Sequence, residues 1–350
     1  MTTGAEALVQ MLQQRLGSSI WASGCNSWYQ HASGKITALW PGFTAEYQAA
    51  LARLGADRIH TDHRCVGVVQ GEAGATLQFV RLSDGAALPA VQADVVIACD
   101  GVNSALRKQF YPHEKVAFAG INTWRGVTRH QPILSGKSYL RVGSIDTGKM
   151  VIYPIVDALD AHGTQLINWV AEIKRDDARM NDWNQGGAVG DFIDIFRDWH
   201  FDWLDVPALI RDAEQILEYP MVDKDPVPQW TFGRVTLLGD AAHPMYPRGS
   251  NGSAQALIDG RTLADELARL PTGTDPRTAL KAYEMQRLPV TARIVETNRS
   301  VPPDFINIKV DELSGGKPFG HIDELISQDE LRQISDNYKR IAGFSLDAVR

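Results

Sequence analysis

The sequence predicts a mixed α/β fold with α+β elements, in which a mainly antiparallel sheet is inserted between two short strands of parallel type. Three observations predict it. Val95 to Ala98 and Val235 to Leu238 are brief apolar runs, each closing in an acidic, glycine-bearing turn (Asp100-Gly101, Gly239-Asp240) ahead of helical spacing, the pattern of buried parallel strands. Between them, residues 118–175 hold four strand-like runs separated by Gly, Pro or Asp at short intervals, which reads as an antiparallel meander. From Gly252 onward the apolar spacing is helical almost to the end.

Composition bounds the rest. With 350 residues, 44% of them hydrophobic, the chain is long enough for two packed lobes. A formal charge of −7 argues against a nucleic-acid or anionic-membrane partner. Three cysteines, Cys25, Cys65 and Cys99, are odd in number and widely spaced, so neither a disulfide framework nor a metal site is expected. The sequence has no apolar run of membrane-spanning length and no basic-then-apolar leader, and a cytoplasmic protein is expected.

In chain order, Leu8, Met11, Leu12 and Leu16 suggest a helix ending at Gly17, and Ala49 to Leu54 the tail of another. Arg58 to Val69 and Thr76 to Leu82 form a hairpin pattern, and Asp84-Gly85 turns into a further strand. After Val95 to Ala98, Ser104 and Arg107 begin a helix. The meander strands are Asn122 to Thr128, Ser138 to Val142, Met150 to Ile155 and Gln165 to Ile173. Phe192 to Phe196 and Leu209 to Leu217 read as amphipathic helices around Pro207, and Tyr219 to Val222 as a returning strand. A long helix runs from about Pro276 to Asn298 with a bend at Pro289, and Ser327 with Glu330 matches a capping box for a last helix to about Ile341.

The chemistry concentrates in residues 233–270. Val235 to Leu238 stops at Gly239-Asp240; Pro244, Pro247 and Gly249 make a loop; and Ala256, Leu257, Leu263, Leu267 and Leu270 then recur at helical spacing until Pro271. Strand, acidic turn, glycine-rich loop and helix N-terminus present backbone N–H groups and a helix dipole to an electron-rich ligand. Asp240, a pure acceptor at the strand end, suits a polyol or ribose hydroxyl.

Gly239-Asp240-Ala241-Ala242-His243-Pro244 with Pro247-Arg248-Gly249-Ser250-Asn251-Gly252 resembles the second flavin motif of the FAD-dependent aromatic hydroxylases related to p-hydroxybenzoate hydroxylase. Ala93 to Ser104, followed by Arg107, resembles that family's Asp-Gly motif, and from about Leu54 the chain is similar to the phenazine-hydroxylase-like branch. The resemblance implies that Asp240 and Gly239 hold the FAD ribityl chain, and that Gly249, Asn251 and Gly252 face the flavin pyrimidine edge. It implies that Asp100, Gly101 and Arg107 serve the FAD pyrophosphate and the passage of NADPH or NADH. The meander becomes a roof over flavin and substrate, with Trp124, Tyr153 and Trp169 as its aromatic positions, although for each ring taken singly ordinary core or sheet packing is the commoner role. Arg248 suits a substrate carboxylate, a flavin phosphate or solvent. His243 is a candidate contact for substrate or flavin, or a satisfied structural histidine.

Residues 8–47 differ. Gly24-Cys25-Asn26-Ser27-Trp28-Tyr29 and Trp40-Pro41-Gly42-Phe43-Thr44 resemble a C-terminal piece of the Baeyer–Villiger-type flavin monooxygenases. The sequence contains no G-x-G-x-x-G, the turn that holds the ADP half of FAD in the hydroxylases. The expected organisation is therefore an atypical segment 1–50 from a fusion or truncation and an incomplete, Rossmann-like FAD/NAD(P)-binding domain made of 51–117 and 220–300. A substrate lobe of 118–219 and a helical tail of 301–350 complete it. The expected function is an FAD-dependent, NAD(P)H-using monooxygenase that hydroxylates a small aromatic or heteroaromatic molecule with molecular oxygen. The alternatives are a catalytically impaired remnant with weak or no FAD binding, and a flavin oxidase or reductase on the same scaffold.

Overall fold

In the computed structural model, which describes residues 60, 62–175, 185–247, 252–300 and 305–341, the chain opens with β1 (His63–Gln70), β2 (Ala75–Arg81) and β3 (Ala87–Ala93), an antiparallel sheet in that order. The turn expected at Asp84-Gly85 joins the last two, with the Asp84 carboxylate accepting the Ala86 amide at 2.9 Å. β4 (Val96–Ala98) and α1 (Ala105–Phe110) follow.

The meander is a larger sheet than the sequence suggests. It comprises β5 (Ala117–His130), β6 (Leu140–Ser144), β7 (Gly148–Val156), β8 (Gln165–Lys174) and the short β9 (Gln185–Gly186). After α2 (Ile193–Phe196), the β10 (His200–Phe201)–β11 (Leu204–Asp205) hairpin and α3 (Val206–Arg211), the chain returns as β12 (Ile216–Asp223). The order is β6-β7-β8-β5-β12-β9, antiparallel throughout. Two expectations are corrected here. The helix over Leu209 to Leu217 ends at Arg211, because Ile216 and Leu217 pair with Gly126 and Arg125 in the sheet; apolar spacing yields to cross-strand pairing. The lobe boundary at 219/220 falls inside β12, whose Val222 and Asp223 still pair with Phe118 and Ala117.

β13 (Thr231–Phe232) and β14 (Val235–Leu237) then complete a three-stranded sheet of order β13-β14-β4. β14 runs parallel to β4, pairing Val235 with Val96 and Leu237 with Ala98, as the two apolar runs predict. α4 (Gly252–Arg269) and α5 (Arg277–Ser300), helical on both sides of Pro289, cover it. α6 (Phe305–Ser314), in the expected helical tail, meets the β6 side, where Asn307 donates to the Gly143 carbonyl at 2.9 Å. α7 (Gln328–Ile341) begins where predicted, Ser327 Oγ accepting the Glu330 amide at 3.2 Å.

Two buried clusters hold these parts. One joins Leu77 and Phe79 of the first sheet and Val96, Val235 and Leu237 of the parallel pair to Leu263, Leu280 and Tyr283 of the two long helices. The other packs Trp124, Ile152 and Trp169 of the large sheet on Phe192, Phe196, Leu209 and Ile210. Each large apolar side chain removed from water in this way contributes roughly 1.5–3 kcal/mol.

Candidate functional site

The last rung between the parallel strands is the Leu238 amide donating to the Ala98 carbonyl at 2.9 Å. Beyond it both chains leave from the same end of the sheet, one through Asp100-Gly101 and the other through Gly239-Asp240. Crevices of this kind, outside the carboxyl ends of parallel strands, are where open α/β sheets hold ligands. Gly101 (φ +76°) and Gly239 (φ +62°) take the left-handed conformation that glycine adopts without strain.

Asp240 lies exposed in this crevice and its carboxylate makes no hydrogen bond among the described residues. Desolvation by the surrounding walls pushes its carboxyl above the ordinary range, His243 opposing and Asp259 adding to the rise. The N-terminus of α4 lies beside it: a Cβ placed on Gly252 would stand 4.0 Å from Asp240 Oδ1. Asp100 uses Oδ2 to accept the Ala105 and Leu106 amides at 2.8 and 3.4 Å, capping α1, while its Oδ1 is buried without a hydrogen-bond partner. A free strand-end carboxylate, an orphaned acceptor and a helix N-terminus in one crevice fit a ligand rich in hydroxyls with a ring edge that gains negative charge on reduction, as FAD has.

Arg107 does not face that crevice. Its side chain is fully buried and all its donors end within the protein: Nε on Glu114 at 2.9 Å, Nη1 on the Ala241 and Ala242 carbonyls at 3.0 and 2.5 Å, Nη2 on Glu114 and on the Asp225 carbonyl at 3.1 Å. The expectation of a direct cofactor contact is corrected: with five donors spent, none is left for a phosphate. Instead Arg107 ties the helix after the first turn to the backbone of the second. Burial pushes the Glu114 carboxyl up, but Arg107 and Lys224 outweigh it and hold it below the ordinary carboxylate range.

His243 is likewise internal. It is 4% exposed, and its Nε2 stands 2.5 Å from Asp259 Oδ2; its Nδ1 is buried without a hydrogen-bond partner. Of the two readings open in the sequence, the structure favours the structural histidine, held through Nε2 on the buried Asp259 carboxylate although its Nδ1 has no partner.

Register separates the three aromatic candidates. β7 and β8 pair Tyr153 with Asn168 and Ile152 with Trp169, while β5 pairs Trp124 with Ala171 and Gly126 with Trp169. Trp124 and Trp169 therefore share the face packed on α2 and α3, both 0% exposed. A Cβ on Gly126 would collide with the Trp169 ring, and the indole N–H donates to Thr128 Oγ1 at 3.0 Å. The substrate role expected for Trp169 is corrected to core packing. Tyr153 points to the other face, where it stacks on Tyr139 at 5.5 Å. That face is polar yet largely buried: the Lys149–Glu172 ion pair at 2.8 Å, Thr123, and Asn168, whose Nδ2 has no hydrogen-bond partner. Arg125 stands 5.9 Å over the Tyr219 ring, and burial pushes the Tyr219 phenol up. Tyr246, on the loop after Asp240, packs on Ile121 and Met221, which places the polar face on the side of the crevice.

Arg248, Gly249 and Asn251 lie outside the described residues, as does the segment 1–50. Sequence reading missed Glu114, Gln255, Asp259 and Arg287. A signal existed for two of them: Gln255 and Asp259 fall in the i, i+4 register of Leu263 and Leu267, polar residues inside the buried stripe of α4. Among the described residues, no helix is long and apolar enough to cross a membrane and no group of side chains could hold a metal ion.

A family model described as an FAD binding domain matches residues 208–298, from α3 through the crevice to most of α5. Phenazine 1,6-dicarboxylic acid hydroxylase PhzS of Lysobacter antibioticus is 38% identical over 255 residues, 72% of this chain and 62% of that protein. The 3-amino-4-hydroxybenzoate 2-monooxygenase PtmB3 of Streptomyces platensis is 34% identical over 69% of this chain and 57% of its own length. The chain thus spans 62% and 57% of these two relatives. Among solved structures, HpxO of Klebsiella pneumoniae complexed with FAD and uric acid superposes with a TM-score of 0.57 at 19% identity, covering 98% of this chain and 83% of that one. A salicylate hydroxylase substrate complex gives 0.56 at 20% identity, over 96% and 88%; at such identities the likeness shows the fold.

Proposed function

We propose that the chain, which matches an FAD binding domain over residues 208–298 and is similar to the aromatic hydroxylases named above, is a member of that FAD-dependent family and a monooxygenase that uses NADPH or NADH and molecular oxygen to hydroxylate a small aromatic or heteroaromatic molecule. The observation that carries this reading is the pair of acidic turns at the ends of two adjacent parallel strands, with the Asp240 carboxylate making no hydrogen bond among the described residues. FAD, when bound, supplies both the hydride acceptor and the activation of oxygen. Asp240 accepts hydroxyl donors of the ribityl chain, and Gly239 lets the backbone pass closely beneath it. Gly252, at the N-terminus of α4, brings the positive end of the helix dipole to the flavin pyrimidine edge, where reduction places negative charge, and the motif resemblance assigns Gly249 and Asn251 to the same edge. Asp100 and Gly101 shape the pyrophosphate side, Asp100 by holding the N-terminus of α1.

The polar face of the large sheet, with Tyr153, Asn168, Tyr219 and Arg125, closes the substrate side, and the motif resemblance assigns Arg248 to an acidic group on the ring. Phenols and an amide edge select an aromatic substrate that carries hydrogen-bonding substituents, because a ring lacking them would leave buried polar atoms unpaired. Drawing on NADPH or NADH suits a cytoplasmic setting. A catalytically impaired form with weak or no FAD binding is the reading that the experiment must separate from hydroxylation. The deciding experiment is an absorption spectrum of the purified chain before and after FAD addition, followed by NADPH and NADH oxidation with a panel of hydroxylated and carboxylated aromatics. A yellow protein whose NAD(P)H oxidation rises with one of them supports hydroxylation. A colourless protein that takes up no FAD supports the impaired form.

A further inference from the structure

The turn that presents Asp240 is clasped from inside the protein. One carboxylate oxygen of Asp259, Oδ2, accepts the Gly239 amide at 3.2 Å and stands 2.5 Å from His243 Nε2. Gly239 and His243 are the two ends of the Gly-Asp-Ala-Ala-His turn, whose own closing bonds run from the Ala242 and His243 amides to the Gly239 carbonyl at 2.8 and 2.9 Å. The other oxygen, Oδ1, accepts from Arg287 Nε at 2.7 Å, and Arg287 Nη2 donates to Gln255 Oε1 at 2.6 Å. Asp259 and Gln255 are 0% exposed, His243 4% and Arg287 7%. No ligand can touch such a carboxylate. Its charge is nonetheless retained: burial pushes the Asp259 carboxyl up, but His243 and Arg287 outweigh it and hold it below the ordinary carboxylate range.

A buried charge costs desolvation unless it is paired and hydrogen-bonded. Here the pairing is directed at one turn, and an apolar residue in the same helical stripe would have served packing alone. We propose that Asp259 is a positioning residue for the cofactor: by gripping Gly239 and His243 with a single oxygen it fixes the angle at which Asp240 meets FAD. The inference rests on the reading of Asp240 as the flavin ligand. It makes the helix after the motif part of the cofactor site without contact, and it explains why His243 is turned inward. The neutral amide introduced by Asp259→Asn could accept from the turn or from Arg287, but its NH2 would then confront a donor on the other side.

The test is a double-mutant cycle on FAD affinity, read by titration of the flavin-depleted full chain, with Asp240→Ala, Asp259→Asn and the combination. Near-ultraviolet circular dichroism of each variant checks that it is folded. Asp259→Asn is expected to raise the FAD dissociation constant about tenfold or more, and to add little once Asp240 is alanine, because it acts through that carboxylate. If Asp259→Asn alone leaves too little folded protein, Asp259→Asn with Arg287→Gln removes both charges and enters the same cycle. Losses that add in full, or an unchanged constant in Asp259→Asn, overturn the positioning role while leaving Asp240 as ligand. An unchanged constant in Asp240→Ala overturns the cofactor reading itself, and the proposal with it.

Discussion

The Leu238 amide donates to the Ala98 carbonyl at 2.9 Å, and this rung decides where the two acidic turns meet. Each turn lies directly beyond the last paired residue of its strand, so the short parallel ladder of three residue pairs from Val96 and Val235 to Ala98 and Leu237 sets the separation of Asp100 from Asp240. The ladder is buried on the α4–α5 side, and the geometry of the crevice follows from packing that ligand-facing side chains do not share.

Asp240→Ala is expected to weaken FAD binding by about 1.5–3 kcal/mol, the worth of a hydrogen bond to a charged group, which is roughly tenfold to a hundredfold in the dissociation constant. Fluorescence titration of FAD into both proteins measures it. Equal constants would reduce Asp240 to a turn residue.

Asp240→Asn should separate stability from binding. The Asp240 carboxyl is raised above 3.8 by desolvation, so the folded chain holds its proton more strongly than the unfolded chain does. The ionised group therefore opposes folding above its folded pKa, and the opposition fades as pH falls towards 3.8. The flavin-free asparagine variant should melt higher than the parent near neutral pH, with the difference shrinking in acid. A lower melting temperature at neutral pH would contradict the desolvation account.

Arg107→Lys tests the brace between the turns. A lysine keeps the charge beside Glu114 but cannot serve Glu114 and three carbonyls at once, and each buried carbonyl left without a donor costs about 1–3 kcal/mol. Urea denaturation of the two proteins reads the loss directly. A change under about 1 kcal/mol, the scale of an exposed ion pair, would mean the guanidinium network is dispensable.

Trp169→Ala and Tyr153→Phe should divide by face. Truncating the buried indole is expected to cost about 3–5 kcal/mol of stability. Tyr153→Phe keeps the ring and should leave the melting temperature within a degree or two, while raising KM for a substrate that hydrogen-bonds the phenol. The outcome that would undo this division is a marked loss of stability in Tyr153→Phe with KM unchanged.

Gly239→Ala should prove costly at this buried turn residue. The residue has φ +62° and its added Cβ would lie 3.2 Å from the Ala256 methyl, so strain of about 1–2 kcal/mol joins a tight contact. Thermal melts and FAD titration should both fall; a silent substitution would show that the turn can relax.

Local pattern specifies a good deal here. The apolar runs at Val95 and Val235, the glycine-acid turns after them, the Asp84-Gly85 hairpin and the Ser327 cap are all written in adjacent residues, because strand burial, turn conformation and capping are short-range choices. The position of Asp240 at a strand end ahead of a helix N-terminus was legible for the same reason. What sequence could not assign was the direction of a side chain whose partners lie far along the chain. Arg107 was read as a ligand contact and is buried on Ala241 and Ala242. Trp169 and Tyr153 both suited the roof, and only the pairing of Tyr153 with Asn168 and of Ile152 with Trp169 sends one ring to the core and the other to the opposite face of the sheet. A one-residue change of register exchanges the two faces of a strand, and that register is fixed by long-range packing against Phe192 and Leu209. Asp259 stayed hidden because a carboxylate in an apolar stripe has no meaning until His243, Gly239 and Arg287, brought from elsewhere in the chain, close around it. Adjacent residues are enough to mark which turns could hold a ligand. Which charges face that ligand, and which hold the turns in place, is settled by folding alone, since burial and pairing are properties of neighbours that lie far apart in the chain.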